Sequence, residues 1–486
     1  MLDSLFINTI FTHTYLEYKS NLQVRQTTDM KYFEEITKVP RPSGQLSAIQ
    51  NYLTSFAEEH TLEYEKDAAG NVLIKHPGFS KKHIIFQAHQ DMVPAVRDGS
   101  SFVFGKDEVK TYVKDGWMYA EETSLGADDG TGMAVMLDAL VSDELKDCGF
   151  NCIFTADEET TMNGAKNISA EWLSADALIN IDSEDWGSVC VSCAGGAVVE
   201  AVFHPEREEI PVSFGYLLSV SGLRSGHSGI MIDSGRLNAV RTAAEFLLEL
   251  HDVQIVSCTG GSAKNVIPGT AEFIFTASDD NIASFAAEFA KVKAVGTDPD
   301  LMMFVDSVSL PQMPWTKYSS GKLLSALSSV PNGCFKRSAS GPLLSSNLGV
   351  LRTAADGTVF VTCFVRGNDN AECEIRTAEI QKFFDDAGAN TLVSDKFPGW
   401  KEKDESPLLQ MVKDVYGALF NADITVCTTH GGLEGGYFAE KNPALQIVSI
   451  GPDIENPHTV FERLNVESFL KLKEFVYALV KESCRR

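Results

Sequence analysis

In the stretch His83-Ile84-Ile85-Phe86-Gln87-Ala88-His89-Gln90-Asp91, a run typical of a buried strand ends directly in metal-ligand side chains. Three other segments repeat this arrangement: Phe150–Thr155 before Glu158 and Glu159, Ala177–Ile181 before Asp182, and Leu445–Ile450 before His458. In open α/β sheets the ligand crevice lies beyond the carboxyl ends of the strands. We therefore expect these side chains to converge on one metal site.

A fifth segment, Leu125-Gly126-Ala127-Asp128-Asp129-Gly130, contributes from a different kind of element. It precedes a helical pattern in which apolar residues recur at i, i+3 and i+4 spacing, namely Met133, Met136, Leu137, Leu140 and Val141. Asp128 is therefore expected to join the cluster from a loop just before a helix.

Composition and charge narrow the range of partners. The 486 residues exceed the size at which a single hydrophobic core stops growing, so more than one domain is expected. The balance of 41 basic against 67 acidic residues gives a net charge of −26, which disfavours nucleic acid and anionic membranes by repulsion. No apolar run approaches the roughly 18 residues of a membrane span. Because a secretion signal is not evident and the 10 cysteines are scattered, we expect a cytoplasmic protein with reduced thiols.

The order of the predicted elements indicates an α/β fold class with an insertion. Strand alternates with helix up to Gly196, which is typical of a mixed sheet with flanking helices. An α+β texture then follows, with strands predicted at Ala197–Phe203, Tyr216–Ser221, Ala271–Thr276 and Val359–Val365 and helices at Leu237–Leu250 and Asn281–Val292. The α/β texture returns from about Trp400, with helices at Pro407–Phe420 and Val466–Lys481.

His458 must reach the ligands of the first segment, so the catalytic domain is predicted to be discontinuous. We assign residues 30–196 to its first segment, 197–396 to an inserted lid domain, 397–486 to its second segment, and 1–29 to an N-terminal extension.

The types of ligand predict the chemistry. Two histidines with three or four carboxylates and no thiolate suit Zn²⁺, Mn²⁺ or Co²⁺, and a single tetrahedral zinc would use fewer carboxylates. Two metal ions are therefore expected, with Asp128 as the natural bridge. The Glu158-Glu159 pair allows one carboxylate to bind metal while the other takes a proton from water, which predicts a hydrolase. Asp91 is placed to set the tautomer of His89.

These motifs, taken in order, resemble those of a known enzyme family. They are Ala88-His89-Gln90-Asp91-Met92-Val93-Pro94, Ser124–Gly130, Asp157-Glu158-Glu159, Asn180–Glu184, and Gly451-Pro452 with Pro457-His458. Together they resemble the co-catalytic di-zinc exopeptidases, which include aminoacylase, carnosinase and carboxypeptidase G. Further pieces, such as Gly226-His227-Ser228-Gly229 and His430-Gly431-Gly432-Leu433-Glu434, are most similar to the aminoacyl-histidine dipeptidase subfamily, and the likeness runs from about Met30 to the C-terminus.

The resemblance implies a role for each matching residue. It makes His89 and Asp182 ligands of one metal, Glu159 and His458 ligands of the other, and Asp128 the bridge. It gives Glu158 the role of general base and makes Asp91 the partner of His89.

Further roles fall on the insert. The resemblance implies that His227 stabilises the oxyanion and that Asn265 and Arg366 contact the terminal carboxylate of the substrate. His430 is a candidate for the substrate pocket or for a structural loop. Two local departures are Asp129, where the subfamily often has Asn, and the partial match around Arg366. Some relatives supply the lid histidine from a partner subunit, so a homodimer through the lid is one arrangement that the resemblance allows.

The implied function is metal-dependent hydrolysis of dipeptides, Xaa-His and broader, with a small peptide as substrate. Removal of an N-acyl group from an amino acid, or cleavage of tripeptides, would use the same metal core with a different pocket. A non-catalytic binding protein is a third class, and the presence of every expected ligand and of the base argues against it.

Overall fold

The computed structural model describes residues 30–210, 214–294, 296–339, 341–401, 403 and 405–485, so the predicted N-terminal extension, residues 1–29, lies outside the described residues. The described chain forms two compact units. The first contains residues 30–191, 403–427 and 438–485, and the second contains residues 192–401 and 428–437.

The strands are, in chain order, β1 Glu63–Lys66, β2 Val72–Pro77, β3 Ile84–His89, β4 Thr111–Lys114, β5 Trp117–Ala120, β6 Gly149–Thr155, β7 Ala177–Asn180, β8 Ser188–Cys193, β9 Gly195–Phe203, β10 Phe214–Ser221, β11 Gly226–His227, β12 Gln254–Gly260, β13 Val266–Ile267, β14 Ala271–Thr276, β15 Met302–Ser309, β16 Gly333–Ser338, β17 Gly341–Thr353, β18 Val359–Gly367, β19 Asn390–Phe397, β20 Thr425–Thr429, β21 Gln446–Ser449, β22 Ile454–Glu455 and β23 Arg463–Asn465. The helices are α1 Lys31–Ile36, α2 Ser47–Glu59, α3 Ala127–Leu140, α4 Glu158–Thr161, α5 Asn163–Asn167, α6 Ser228–Met231, α7 Ala239–Leu248, α8 Ile282–Lys293, α9 Lys317–Ser329, α10 Asn370–Asp386, α11 Pro407–Phe420, α12 Gly435–Lys441 and α13 Val466–Arg485.

A mixed sheet of eight strands organises the first unit, in the order β1-β2-β6-β3-β7-β21-β8-β20. The strands β6, β3, β7 and β21 run parallel to one another, whereas β1, β2 and β8 pair antiparallel. The parallel strands are short apolar runs, as expected for strands that helices cover on both faces. Their carboxyl ends lie side by side, which brings the residues that follow them to one edge.

A row of buried polar side chains joins the ends of these four strands. The Gln87 side-chain amide donates to the Thr155 hydroxyl at 3.0 Å, and the Asn180 amide donates to Gln87 at 2.8 Å. The Ser449 hydroxyl then donates to the Asn180 side-chain carbonyl. Buried polar groups are costly unless they are paired, so this row holds the strand ends in one register.

The first unit has a hydrophobic core of its own. Helix α3 lies against β3, α1 and α13, and α13 also packs on α11. The pattern that predicted α3 is confirmed, since Met133, Met136 and Leu137 are fully buried in this core. A smaller sheet, in the order β22-β23-β5-β4, completes the unit.

The second unit is built around an antiparallel sheet in the order β15-β10-β14-β12-β17-β18-β9-β19, with β16 paired to β17. Helix α10 packs on β9, α9 packs on α7, and α8 packs on β15. A separate core contains Phe246, Phe273 and Phe384. A sheet covered by helices and built from hairpin-like pairings is an α+β arrangement.

The predicted fold class is confirmed: the chain is α/β, with an α+β insertion between the segments of a mixed-sheet domain. The contact division also assigns residues 428–437 to the second unit, a return that the sequence pattern did not indicate. Within the described residues, every helix is too short or too polar to cross a membrane.

Candidate metal centre

All five predicted metal ligands lie in the first unit, beside the carboxyl ends of the parallel strands. His89 is the last residue of β3, Asp182 follows β7, and Glu159 lies in the short helix after β6. Asp128 lies at the start of α3, and His458 follows β22. His89, Glu159 and Asp182 therefore follow the predicted strands of the mixed sheet, and Asp128 begins a helix as predicted. His458 differs: we expected it after the strand Leu445–Ile450, but it follows β22 of the smaller sheet.

The carboxylate of Asp128 faces two imidazoles at once. Its Oδ1 lies 2.9 Å from Nε2 of His89, and its Oδ2 lies 3.1 Å from Nε2 of His458. Each oxygen therefore serves a different histidine, which is the arrangement that a carboxylate bridging two metal ions requires.

Each histidine has a second carboxylate partner. Nε2 of His89 lies 3.3 Å from Oδ1 of Asp182, and Nε2 of His458 lies 2.9 Å from Oε2 of Glu159. Ligand atoms of His89, Asp128 and Asp182 lie within 4.8 Å of one another, and so do those of Asp128, Glu159 and His458. The two groups share Asp128, so the cluster divides into two neighbouring ligand sets.

The electrostatics of the cluster favour a cation. Hydrogen bonds with Asp128 and Glu159 raise the pKa of His458 to about 11. Burial lowers the pKa of His89, but the charge of Asp182 and the hydrogen bond with Asp128 outweigh it and hold that pKa well above 6.5. Protons therefore occupy the imidazole nitrogens that would bind metal, and metal binding must displace them.

The pKa values of the Asp182 and Asp128 carboxylates shift in opposite directions. Burial raises the pKa of Asp182 to about 7. Burial also acts on Asp128, but hydrogen bonds from His458 and His89 outweigh it and lower its pKa. Asp128 therefore keeps its negative charge, which a carboxylate needs in order to bind metal.

Asp91 organises the acidic pair after β6. Its Oδ1 accepts a hydrogen bond from the amide of Glu158 at 2.9 Å, and its Oδ2 accepts one from the amide of Glu159 at 3.2 Å. Nδ1 of His89 lies 3.1 Å from the Asp91 backbone oxygen and 3.5 Å from its Oδ1. The predicted contact with His89 is therefore present, but the carboxylate chiefly fixes the backbone of Glu158 and Glu159.

The donor set fits divalent metal ions. Oε1 of Glu159 is buried and makes no hydrogen bond within the described part of the chain, which leaves a carboxylate oxygen free for a ligand inside the cluster. Imidazole nitrogens with carboxylate oxygens suit Zn²⁺, Mn²⁺ and Co²⁺, and a buried charge of this density requires compensation. Glu158 belongs to a third group with His89 and Glu159, so its carboxylate lies beside the ligand sets.

Sequence reasoning missed two buried charges next to the centre, Arg41 and Glu462. Arg41 is 1% exposed and Glu462 is 3% exposed. Both contact backbone atoms and follow no ligand-type spacing, so no motif pointed to them. The available signal was local: Arg41 stands between two prolines, and Glu462 lies four residues after His458.

The four remaining predicted residues, His227, Asn265, Arg366 and His430, lie in the second unit. Strand β11, which contains His227, pairs with β13, and the amide of Ser228 donates to the Asn265 backbone oxygen at 2.8 Å. The Arg366 guanidinium donates to the His430 backbone oxygen at 3.3 Å.

Arg366 sets the charge of this second cluster. Burial and the positive charge of Arg366 lower the pKa of His430 to about 4, and the same two causes lower the pKa of His227. Nε2 of His430 lies 2.7 Å from the Ser345 hydroxyl. Both imidazoles are therefore neutral near pH 7 beside one fixed cation, a setting that suits a carboxylate or an oxyanion.

Comparison with known proteins shows the family of this chain. The sequence profile described as peptidase family M20/M25/M40 matches residues 85–482. The chain belongs to this peptidase family. It is 31% identical to the cytosol non-specific dipeptidase of Escherichia coli (strain K12) over 93% of this chain and 96% of that protein.

Two solved structures share the fold of this chain. The aminoacylhistidine dipeptidase of Vibrio alginolyticus is 31% identical, with a TM-score of 0.85 over 93% of this chain and 96% of that one. The aminopeptidase PepT of Bacillus cereus is 18% identical, with a TM-score of 0.57 over 94% of this chain and 98% of that one, which shows a common fold. The predicted membership of this group of peptidases is confirmed.

Proposed function

We propose that this peptidase hydrolyses dipeptides with the aid of two divalent metal ions bound by His89, Asp128, Glu159, Asp182 and His458. Zn²⁺ is the metal that we propose first, with Mn²⁺ and Co²⁺ as alternatives that the same ligands accept. The names of its full-length relatives from Escherichia coli and Vibrio alginolyticus support the choice of dipeptides as substrates.

The contact of Asp128 with both His89 and His458 supports this proposal most strongly. One carboxylate whose oxygens lie 2.9 and 3.1 Å from two different imidazoles separates the cluster into two halves with a shared ligand. A single-metal site would have no use for that arrangement, because a tetrahedral ion needs only four ligands in all.

The chemistry that follows assigns Glu158 the proton transfers. Divalent ions, when bound, lower the pKa of water and polarise a carbonyl oxygen. Glu158, whose backbone Asp91 holds at 2.9 Å, accepts the proton of the attacking water and passes it to the leaving amine. Glu159 cannot share this role in the proposal, since its carboxylate faces His458.

The residues of the second unit supply the remaining roles in the proposal. Arg366 and Asn265 bind the terminal carboxylate of the dipeptide, and an arginine that is 6% exposed is suited to such a charged partner. His227 donates a hydrogen bond to the oxyanion, because its lowered pKa keeps the imidazole neutral with one N–H to give. His430 helps to position Arg366 through its backbone oxygen.

We also propose a location in the cell and an oligomeric state. A cytoplasmic location is supported by the name of the Escherichia coli relative. A homodimer through the lid domain, residues 197–396, stays a prediction, and light scattering on the purified protein would measure the mass in solution.

A substrate panel with and without a chelator tests the proposed function. Dipeptides with a free carboxylate should be hydrolysed, tripeptides and N-acetyl amino acids should be poor substrates, and the chelator should abolish turnover. Faster turnover of tripeptides or N-acetyl amino acids would replace dipeptide hydrolysis with one of those activities. Activity that survives complete metal removal would contradict the two-metal chemistry.

A further inference from the structure

The buried carboxylate of Glu462 accepts hydrogen bonds from the loop that contains Asp128, the proposed bridge. One carboxylate oxygen of Glu462, Oε2, accepts hydrogen bonds from the amides of Leu125 and Gly126 at 2.7 and 2.9 Å. The other, Oε1, accepts from the amides of Ala127 and Asp128 at 2.7 and 3.3 Å. Four consecutive N–H groups therefore converge on one carboxylate, and the last of them belongs to the bridging residue itself.

Arg41 holds the same loop from its carbonyl side. Its guanidinium donates to the backbone oxygens of Gln90 and Asp91 at 3.1 and 2.8 Å, and also to the backbone oxygen of Gly126. It therefore ties the loop after His89 to the loop before α3. A Cβ added at Gly126 would lie 2.6 Å from the guanidinium, and the backbone there has a φ of +70°, so this contact requires glycine.

We propose that the two buried residues Arg41 and Glu462 are positioning residues for the metal centre. They hold the backbone at Asp128 so that its two carboxylate oxygens face His89 and His458. The inference rests on the proposed two-metal function and adds two residues that neither bind metal nor touch substrate. They act through the backbone of the ligand-bearing loops.

Charge explains why a carboxylate, and no neutral side chain, fits this place. Each Glu462 oxygen accepts hydrogen bonds from two backbone N–H groups. If an amide NH₂ replaced one oxygen, it would face two N–H donors without being able to accept from them, and both hydrogen bonds would be lost. A carboxylate so close to Asp128 also adds like charge to an acidic cluster. The fully buried guanidinium of Arg41 interacts electrostatically with Glu462, Asp91, Asp129 and Asp128, and so offsets that charge.

An alternative role for Glu462 is to dock the C-terminal segment, residues 438–485, onto the rest of the first unit. Docking would need contact with any part of that unit, whereas all four hydrogen bonds go to residues 125–128. The docking reading predicts a loss of stability alone. The positioning reading predicts weaker metal binding by protein that is still folded.

The test is metal titration of the metal-free full-length protein, with melting temperature measured on the same samples. Glu462→Gln should weaken Zn²⁺ binding by at least about 10-fold, the lower range for partners that orient metal ligands. Amide hydrogen exchange at residues 125–128 should also accelerate. Glu455→Gln is the matched control, because Glu455 lies in the same segment and pairs with Arg463 at the surface.

Arg41→Lys is the second variant, for the case in which Glu462→Gln does not fold. Lysine keeps the charge but cannot span the same three backbone oxygens, so its Zn²⁺ affinity should also fall by at least about 10-fold. Wild-type affinity in whichever folded variant is measured overturns the positioning role. Failure of the unmutated protein to bind two metal ions would instead defeat the proposed function, so the two failures are distinguishable.

Discussion

Replacing the carboxylate of Asp128, which we propose as the bridge between two metal ions, with an amide should remove paired metal binding without altering the fold. In Asp128→Asn the side chain keeps its shape, but it loses its charge and one of two oxygens that lie 2.9 and 3.1 Å from His89 and His458. A unit charge about 4 Å from another contributes about 4 kcal/mol at an effective dielectric of about 20. With the carboxylate 11% exposed, little is lost to solvent screening, so we expect a fall of about a thousandfold in metal affinity.

Competition between the metal-free protein and a coloured zinc chelator measures this affinity. The unmutated protein should take up two equivalents, and Asp128→Asn should retain at most one under the same conditions. Asp143→Asn is a suitable control, since Asp143 is exposed just beyond the end of α3. Two equivalents bound by Asp128→Asn with unchanged affinity would refute the bridge.

Three further outcomes follow from the same geometry. Glu158→Gln should bind metal normally but lower kcat by at least about 100-fold, as the loss of a proton-transfer group does, and near-normal turnover would remove it from the mechanism. Arg366→Ala should raise KM for free dipeptides by roughly 10-fold to 100-fold and matter much less for amidated ones, whereas equal losses on both would end its carboxylate role. The metal-free protein should become less stable as pH rises from 6.5 towards 11. The pKa of His458 is about 11 in the folded state against 6.5 ordinarily, so protonated His458 stabilises the fold fully below pH 6.5, and this stabilisation is lost as pH rises to 11. A melting temperature of chelator-treated protein that rises over this range would contradict that sign.

The sequence predicted the first unit well, because its apolar strands end in histidine and carboxylate side chains, which mark where each strand stops. Predicted strands such as His83–Ala88 and Ala177–Ile181 match β3 and β7 to within one residue at each end. The predicted helix Pro407–Phe420 coincides with α11, where Pro407 stands at the first helical position and the Ser406 side chain caps the amide of Leu409.

The insert was harder to predict, because much of its structure is half exposed or polar. Strand β17, Gly341–Thr353, contains Ser345, Ser346 and Asn347, which lack strand propensity and are buried through hydrogen bonds of their side chains. Helix α10, Asn370–Asp386, has many charged residues around a narrow buried stripe, so its periodicity is weak.

The proposed metal ligands could be predicted from the sequence, but the groups proposed to position them could not. Ligand residues are rare types at strand ends, whereas Glu462 and Arg41 act on backbone atoms that any residue carries. Contacts of that kind depend on the approach of distant parts of the chain, which are 50 residues apart for Arg41 and Asp91 and 337 residues apart for Glu462 and Leu125. No spacing rule along the chain encodes them.

Anomalous diffraction at the zinc absorption edge, from crystals of the zinc-loaded protein, tests the two-metal centre most directly. We expect two peaks separated by roughly 3.5–4 Å, one beside His89 and Asp182 and one beside His458 and Glu159, with Asp128 between them. A single peak, or a pair of peaks that does not share Asp128, would contradict it.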